Sequence, residues 1–222
     1  MYILNLETST KNCSVALSKN GLVIAERHLA SEGYSHAEVL HVYIDDVLQE
    51  SKVNVSELAA VAVGQGPGSY TGLRIGVSAA KGLCFAVDIP LIFINSLLNL
   101  ASQTQVENGC IVSMIDARRM EVYSSIFDKN QNIIRKTEAQ ILDENSFENF
   151  ENQIYIVGDC QEKVKTVLTD SKFIFLENIK YPTANAMAKI SYQKYLNKEF
   201  EDLAYCEPLY LKDFLVLEKT KK

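Results

Sequence analysis

The chain opens on apolar runs of strand length. Tyr2-Ile3-Leu4-Asn5-Leu6 is a mostly apolar run rich in aromatic and branched residues, and Cys13-Ser14-Val15-Ala16-Leu17 alternates. Asn20-Gly21 then offers a tight hairpin turn into Leu22-Val23-Ile24-Ala25. Three short strands joined by tight turns predict an antiparallel start to a sheet. At Ser35 the period changes. Ala37, Leu40, Ile44, Val47 and Leu48 fall at helical spacing, with Val39 and Tyr43 beside them, and Ser35 with Glu38 has the pattern of a capping box. Leu58 to Val63 reads as a buried strand that runs into a glycine cluster, and Thr71 to Val87 as a second helix. Pro90 opens a short strand, Leu91 to Ile94, and Ser96 begins another helical stretch.

Around Gln103 to Gly109 the pattern turns polar, as in a linker. A new strand pair follows, Ile111 to Ile115 and Glu121 to Phe127. Residues 128–153 are rich in Asn, Glu and Lys and read as containing surface insertions, Ile154 to Val157 as a strand ending at Gly158-Asp159, and 183–197 as a helix. The order predicts an α/β protein in two halves, each opening with strands.

Composition narrows the function classes. The 222 residues suffice for one large domain or two small ones. Lys and Arg number 22 against 28 Asp and Glu, a net charge of −6. That argues against unaided grip on a phosphate backbone, which draws on clustered basic residues, and leaves a local basic patch open. The longest apolar runs are too short to span a bilayer, and Glu7 comes too early for a secretory leader. Cys13, Cys84, Cys110, Cys160 and Cys206 are odd in number, widely spaced and without a CxxC pair, which predicts free thiols in a reduced cytoplasm.

The densest signal is Gly64-Gln65-Gly66-Pro67-Gly68-Ser69-Tyr70-Thr71-Gly72-Leu73-Arg74-Ile75-Gly76, between a predicted strand and a predicted helix. A dinucleotide fingerprint starting at Gly64 requires glycine where Ser69 stands, and the Gly-Lys-Ser/Thr of a P-loop is absent. Gly-x-Ser-x-Gly is absent too, and Ser69 has no evident His/Asp partners. Locally the stretch reads as a strand-to-helix turn capped by Ser69 or Thr71. The helix that follows is apolar nearly all round, charged only at Arg74 and Lys81, so both its sides call for cover. A neighbouring element of the same chain and a partner subunit satisfy that pattern equally.

Gly66-Pro67-Gly68-Ser69-Tyr70-Thr71-Gly72-Leu73-Arg74-Ile75-Gly76 resembles the signature of the bacterial TsaB family, also called YeaZ. Ile3 to Ser9 with Cys13 to Leu17, Asp116-Ala117-Arg118-Arg119 with Glu121-Val122-Tyr123, Gly158-Asp159, and Pro208 to Leu211 resemble its other motifs in order and spacing. The resemblance implies an actin-like ATPase fold (ASKHA, ribonuclease H-like) of two lobes, each a mixed sheet with flanking helices. The expected bounds are 1–104 for the first lobe and 105–205 for the second, with 206–222 packing back on the first. It also implies a non-catalytic partner of TsaD, the paralogue that transfers a threonylcarbamoyl group to adenosine 37 of tRNAs reading codons that begin with A (t6A). A P-loop ATPase, TsaE, joins that complex. The implied partners are therefore a TsaD-type protein, a TsaE-type ATPase, a second copy when alone, and tRNA only through the complex, with no membrane. The family dimerises through the two helices of the first lobe, here about 35–51 and 70–87. On that basis Gly68, Ser69, Tyr70, Thr71, Gly72, Arg74, Ile75, Gly76, Ala79, His36 and Leu40 are the expected partner interface, the glycines permitting close helix approach.

The catalytic paralogue holds its metal with two histidines four residues apart, and Ser96 and Leu100 stand at those positions. Neither replaces imidazole at a transition-metal site, so no metal is expected. His36 and His41 are five residues apart, about 140° around a helix, and share no face. No cofactor is required on this reading. The resemblance implies nucleotide contacts at Glu7, Thr8, Ser9, Thr10, Asp116 and Arg118, with ATP or ADP at the complex interface. The residues themselves read equally as inherited structural turns and, at Asp116 and Arg118, as a strand-end salt bridge. An actin-fold nucleotide hydrolase or small-molecule kinase is the alternative function.

Overall fold

A computed structural model describes residues 1–30, 36–150 and 152–212. The first sheet holds β1 (Tyr2–Glu7), β2 (Asn12–Lys19), β3 (Leu22–Ala30), β4 (Leu58–Gly66) and β5 (Leu91–Asn95) in the order β3-β2-β1-β4-β5. β1, β2 and β3 pair antiparallel, turning at Asn20 and Gly21 in the left-handed region, while β4 and β5 join in parallel. The second sheet holds β6 (Cys110–Asp116), β7 (Glu121–Asp128), β8 (Ile133–Ile141), β9 (Ile154–Gly158) and β10 (Phe173–Phe175) in the order β10-β9-β6-β7-β8. Here too the first three strands pair antiparallel and the last two join in parallel. The two lobes thus repeat one topology, and each is a mixed sheet with helices against it.

In the first lobe α1 (His36–Ser51) and α2 (Tyr70–Val87) cover one face of the sheet. Leu40, Ile44 and Val47 of α1 and Val77, Ala80 and Cys84 of α2 close the core over Leu4, Leu6, Val15, Val61 and Phe93. Ser69 is the N-cap of α2, accepting from the Gly72 amide at 3.2 Å. The expected cap at Ser35 lies outside the described residues.

The opposite face of that sheet corrects the expected lobe boundary. α5 (Ala184–Leu196), which follows the short α4 (Gln161–Val164) and was assigned above to the second lobe, packs on the first sheet. Its Met187, flanked by Ile190 and Tyr195, covers Ile3, Ala60, Ala62, Ile92 and Ile94. The physical reason is that β1, β4 and β5 are apolar on both faces, and a sheet apolar on both faces must be covered twice. Residues 128–153 also hold an element that the polar composition did not announce. They contain the edge strand β8, whose Arg, Lys, Glu and Gln side chains obscure its period because little of it is buried.

α3 (Ser96–Ser102) stands between the lobes. Leu97, Leu100 and Ala101 enter a core with Ile111, Ile115, Phe127 and Val157 of the second lobe. Asn99 turns to residues before α5, donating to the Thr183 carbonyl at 2.9 Å and accepting from its amide at 3.1 Å. The five cysteines are free thiols. No described helix is long and apolar enough to cross a membrane.

Candidate functional site

The β1–β2 turn is shut by the start of α2. The Ser69 amide donates to the Ser9 carbonyl at 2.7 Å, and Thr8 Oγ1 donates to the Gly72 carbonyl at 2.8 Å. His36 Nε2 lies 2.7 Å from the Thr10 carbonyl oxygen. A Cβ built on Gly68, Gly72 or Gly76 would collide with Ser9, the Thr8 carbonyl or Thr8 Oγ1 respectively. The glycines of the signature therefore permit close approach of the chain's own turn. The expectation that they make room for a partner helix is corrected. His36, Leu40 and Ala79 are corrected with them: at 2%, 0% and 9% exposure they belong to the first lobe's interior.

The same closure encloses four of the residues expected at nucleotide. Glu7, Thr8, Ser9 and Thr10 are 0–4% exposed. The Glu7 carboxylate accepts from the Ser9 amide at 2.8 Å and from Ser96 Oγ at 3.3 Å. Burial pushes its pKa above the ordinary carboxylate value. Asp116 and Arg118 are exposed on the β6–β7 turn of the other lobe, and no hydrogen bond or ion pair among the described residues joins them to the Glu7 turn. Asp116 instead pairs with Lys163 and gives its amide to Asp159 Oδ1 at 2.9 Å.

The burial of Asp159 predicts a pH dependence of stability in the second lobe. Burial pushes its carboxyl up to about 6, the Asp116 amide opposes the shift and the Asp116 charge adds to it. An acid whose folded pKa lies above its unfolded value destabilises the fold when ionised. That penalty is absent below about pH 4, grows as pH rises towards 6, and is full above it. Asp159→Asn, which keeps an acceptor for the Asp116 amide, is expected to raise stability by about 1–2 kcal/mol at pH 8 and by nothing measurable at pH 4. Thermal unfolding at the two pH values checks it.

On α3, Ser96 and Leu100 have separate structural duties. Ser96 is fully buried against Glu7, and Leu100 is fully buried in the second lobe's core. A hydroxyl engaged with a carboxylate and an aliphatic core side chain form no donor set for a transition metal. Among the described residues, no group of three His, Cys, Asp or Glu is arranged to hold one.

Among the described residues, the outward face of α2 is one of the exposed surfaces of the first lobe. Thr71, Arg74, Ser78, Gly82 and Phe85 recur at helical spacing along it and are exposed, with Ile75 half-buried at its side. Phe85 is 83% exposed, and among the described residues nothing lies within 4 Å of a Cβ built on Gly82. Val42 of α1 adds a further exposed apolar side chain at 56%. Tyr70 and Gly68 are half-buried where α2 begins. The Arg74 guanidinium lies 4.2 Å from the centre of the Tyr70 ring, and its Nε donates to Tyr210 Oη at 3.2 Å. Of the residues expected at a partner interface, Thr71 and Arg74 are exposed and Gly68, Ser69, Tyr70 and Ile75 partly so. Phe85 was not among those expected. Its signal is the company it keeps: a phenylalanine in line with Thr71, Arg74 and Ser78 stands on the polar side of the helix.

A family model described as TsaD, tRNA N6-adenosine threonylcarbamoyltransferase, matches residues 30–216. The tRNA threonylcarbamoyladenosine biosynthesis protein TsaB of Escherichia coli K12 is 30% identical over 234 residues, covering 99% of this chain and 98% of the relative. The chain belongs to the TsaB family. YeaZ from Pseudomonas aeruginosa superposes with a TM-score of 0.83 at 25% identity, covering 95% of this chain and 99% of that one. An activator of 2-hydroxyisocaproyl-CoA dehydratase from Clostridium difficile, solved with bound ADPNP, matches with a TM-score of 0.50 at 11% identity over 91% of this chain and 99% of that one, a likeness of fold alone. TsaB-family membership and the actin-like ATPase fold agree with the resemblance carried by the glycine signature. They also relate this chain to the threonylcarbamoyltransferases themselves.

Proposed function

We propose that this chain is the non-catalytic accessory subunit of a cytoplasmic complex that transfers threonylcarbamoyl to adenosine 37 of tRNA. It acts by pairing the outward face of α1 and α2 with a TsaD-type paralogue, and the pair receives a TsaE-type ATPase. Alone, the same face pairs with a second copy. The observation that carries the reading is the fate of Ser96 and Leu100: both are sealed in the interior, one on Glu7 and one among second-lobe aliphatics. The positions that would do chemistry in a paralogue here hold the fold together. An acidic subunit serves a tRNA pathway when its partners contribute the basic surface and the metal. Any ATP or ADP then belongs to the composite interface.

Glu7→Gln tests this against the alternative of a nucleotide hydrolase. In a reconstituted complex the variant is expected to support threonylcarbamoyl transfer within about threefold of wild type, since a non-reacting buried group is replaced by a near isostere. Loss of transfer by a folded variant, with ATP turnover by the isolated wild-type chain, would establish the hydrolase instead.

A further inference from the structure

The segment 201–212 is tied to both lobes. At its start the Glu201 amide donates to the Leu91 carbonyl at 2.9 Å, at the free edge of β5. Lys81 of α2 donates to the carbonyls of Ala204 and Cys206, at 3.4 and 3.2 Å. The Leu209 amide donates to the Gln65 carbonyl at 2.8 Å. Tyr210 lies with its ring centre 5.1 Å from that of Tyr70 and accepts from Arg74. Two residues on, Lys212 reaches the other lobe, where it pairs with Glu121, donates to the Ala117 carbonyl at 3.4 Å and lies 5.8 Å from the centre of the Tyr123 ring. Leu203 and Cys206 pack against the first-lobe core, while a cavity of about 530 Å³ lies between Gln65 and Phe93 on one side and Cys206 to Tyr210 on the other. Beyond Cys206 the segment is held mainly by hydrogen bonds and ring contacts, and such a stretch opens at lower cost than one packed into a core.

We propose that residues 201–212 are a strap that couples partner binding on α2 to the β6–β7 turn of the second lobe, which Lys212 holds. The inference rests on the proposed pairing through α2. A partner covering Arg74 excludes water from the Arg74–Tyr210 hydrogen bond and from the Tyr70–Tyr210 contact, which strengthens both. The partner therefore prefers the docked strap, and linkage makes the preference reciprocal: loosening the strap at its far end weakens the partner. Lys212 reports on this because its grip is on Glu121 and Ala117, on the other lobe from α2.

The test is amide hydrogen exchange of the full chain with and without the TsaD-type paralogue, together with the affinity of Lys212→Glu. The expected result is slower exchange at Glu201, Leu209 and the β6–β7 turn on adding the paralogue, and a fivefold or larger loss of affinity in the variant, the lower end of ordinary coupling. Protection confined to α1 and α2, with unchanged affinity of the variant, would overturn the strap and leave the pairing intact. Protection nowhere on α2 would overturn the pairing, and the strap with it. Lys212→Ala, which removes the ion pair without adding a like charge beside Glu121, is expected to fall between wild type and Lys212→Glu.

Discussion

Phe85→Glu is expected to abolish co-purification with the TsaD-type paralogue and leave the isolated chain folded. The side chain is 83% exposed, so the fold loses almost no buried area when it goes. Exposed substitutions of this kind stay within about 0.5 kcal/mol of wild type. At the centre of an interface the same ring fills a pocket, and truncation of such an anchor costs about 2 kcal/mol or more. A carboxylate in its place adds the cost of burying an unpaired charge. Together these raise the dissociation constant by a factor of about 100 or more. Isothermal titration calorimetry with the paralogue, beside a thermal melt of the variant alone, checks both halves. Unchanged affinity would remove α2 from the interface.

Gly72→Ala carries the second large effect, and on folding. The new methyl would sit against the Thr8 carbonyl oxygen, which is backbone and cannot rotate aside. Overpacking a fully formed interior costs about 1–3 kcal/mol, and a collision with backbone belongs at the top of that range. Gly82→Ala is its internal comparison on the same helix. No described residue lies near its Cβ position, and alanine is the better helix former by about 0.8–1 kcal/mol. Chemical denaturation is therefore expected to shift in opposite directions for two identical substitutions ten residues apart. If Gly72→Ala melts with wild type, α2 does not seal the Glu7 turn as described.

These two substitutions also show where the sequence was legible. The strands of the first lobe follow from alternation and continuous apolar runs, and the inner face of α2 from Leu73, Val77, Ala80 and Cys84 at helical spacing. The glycines of the same helix were legible as a demand for close approach. Spacing alone does not say what approaches, and the neighbour is Thr8, sixty-four residues earlier, brought there by the pairing of β1 with β4. α5 presents the same difficulty at larger scale. Its helical period is plain, yet its place on the first sheet depends on which face of Ile3, Ala60 and Ile92 remained uncovered. Asking what covers the second face of a doubly apolar sheet would have found it. β8 is illegible for another reason: an edge strand with mostly exposed side chains has no buried set to impose a period of two. The residue types at Ser96 and Leu100 were plain in the sequence. What those residues do instead required the fold.

The most direct test of the central claim is nucleoside mass spectrometry of tRNA from cells depleted of this chain and complemented with variants. The account predicts that t6A falls on depletion, returns with wild type and with Glu7→Gln, and does not return with Phe85→Glu expressed at equal level. Unchanged t6A after depletion, or full restoration by Phe85→Glu, would contradict it.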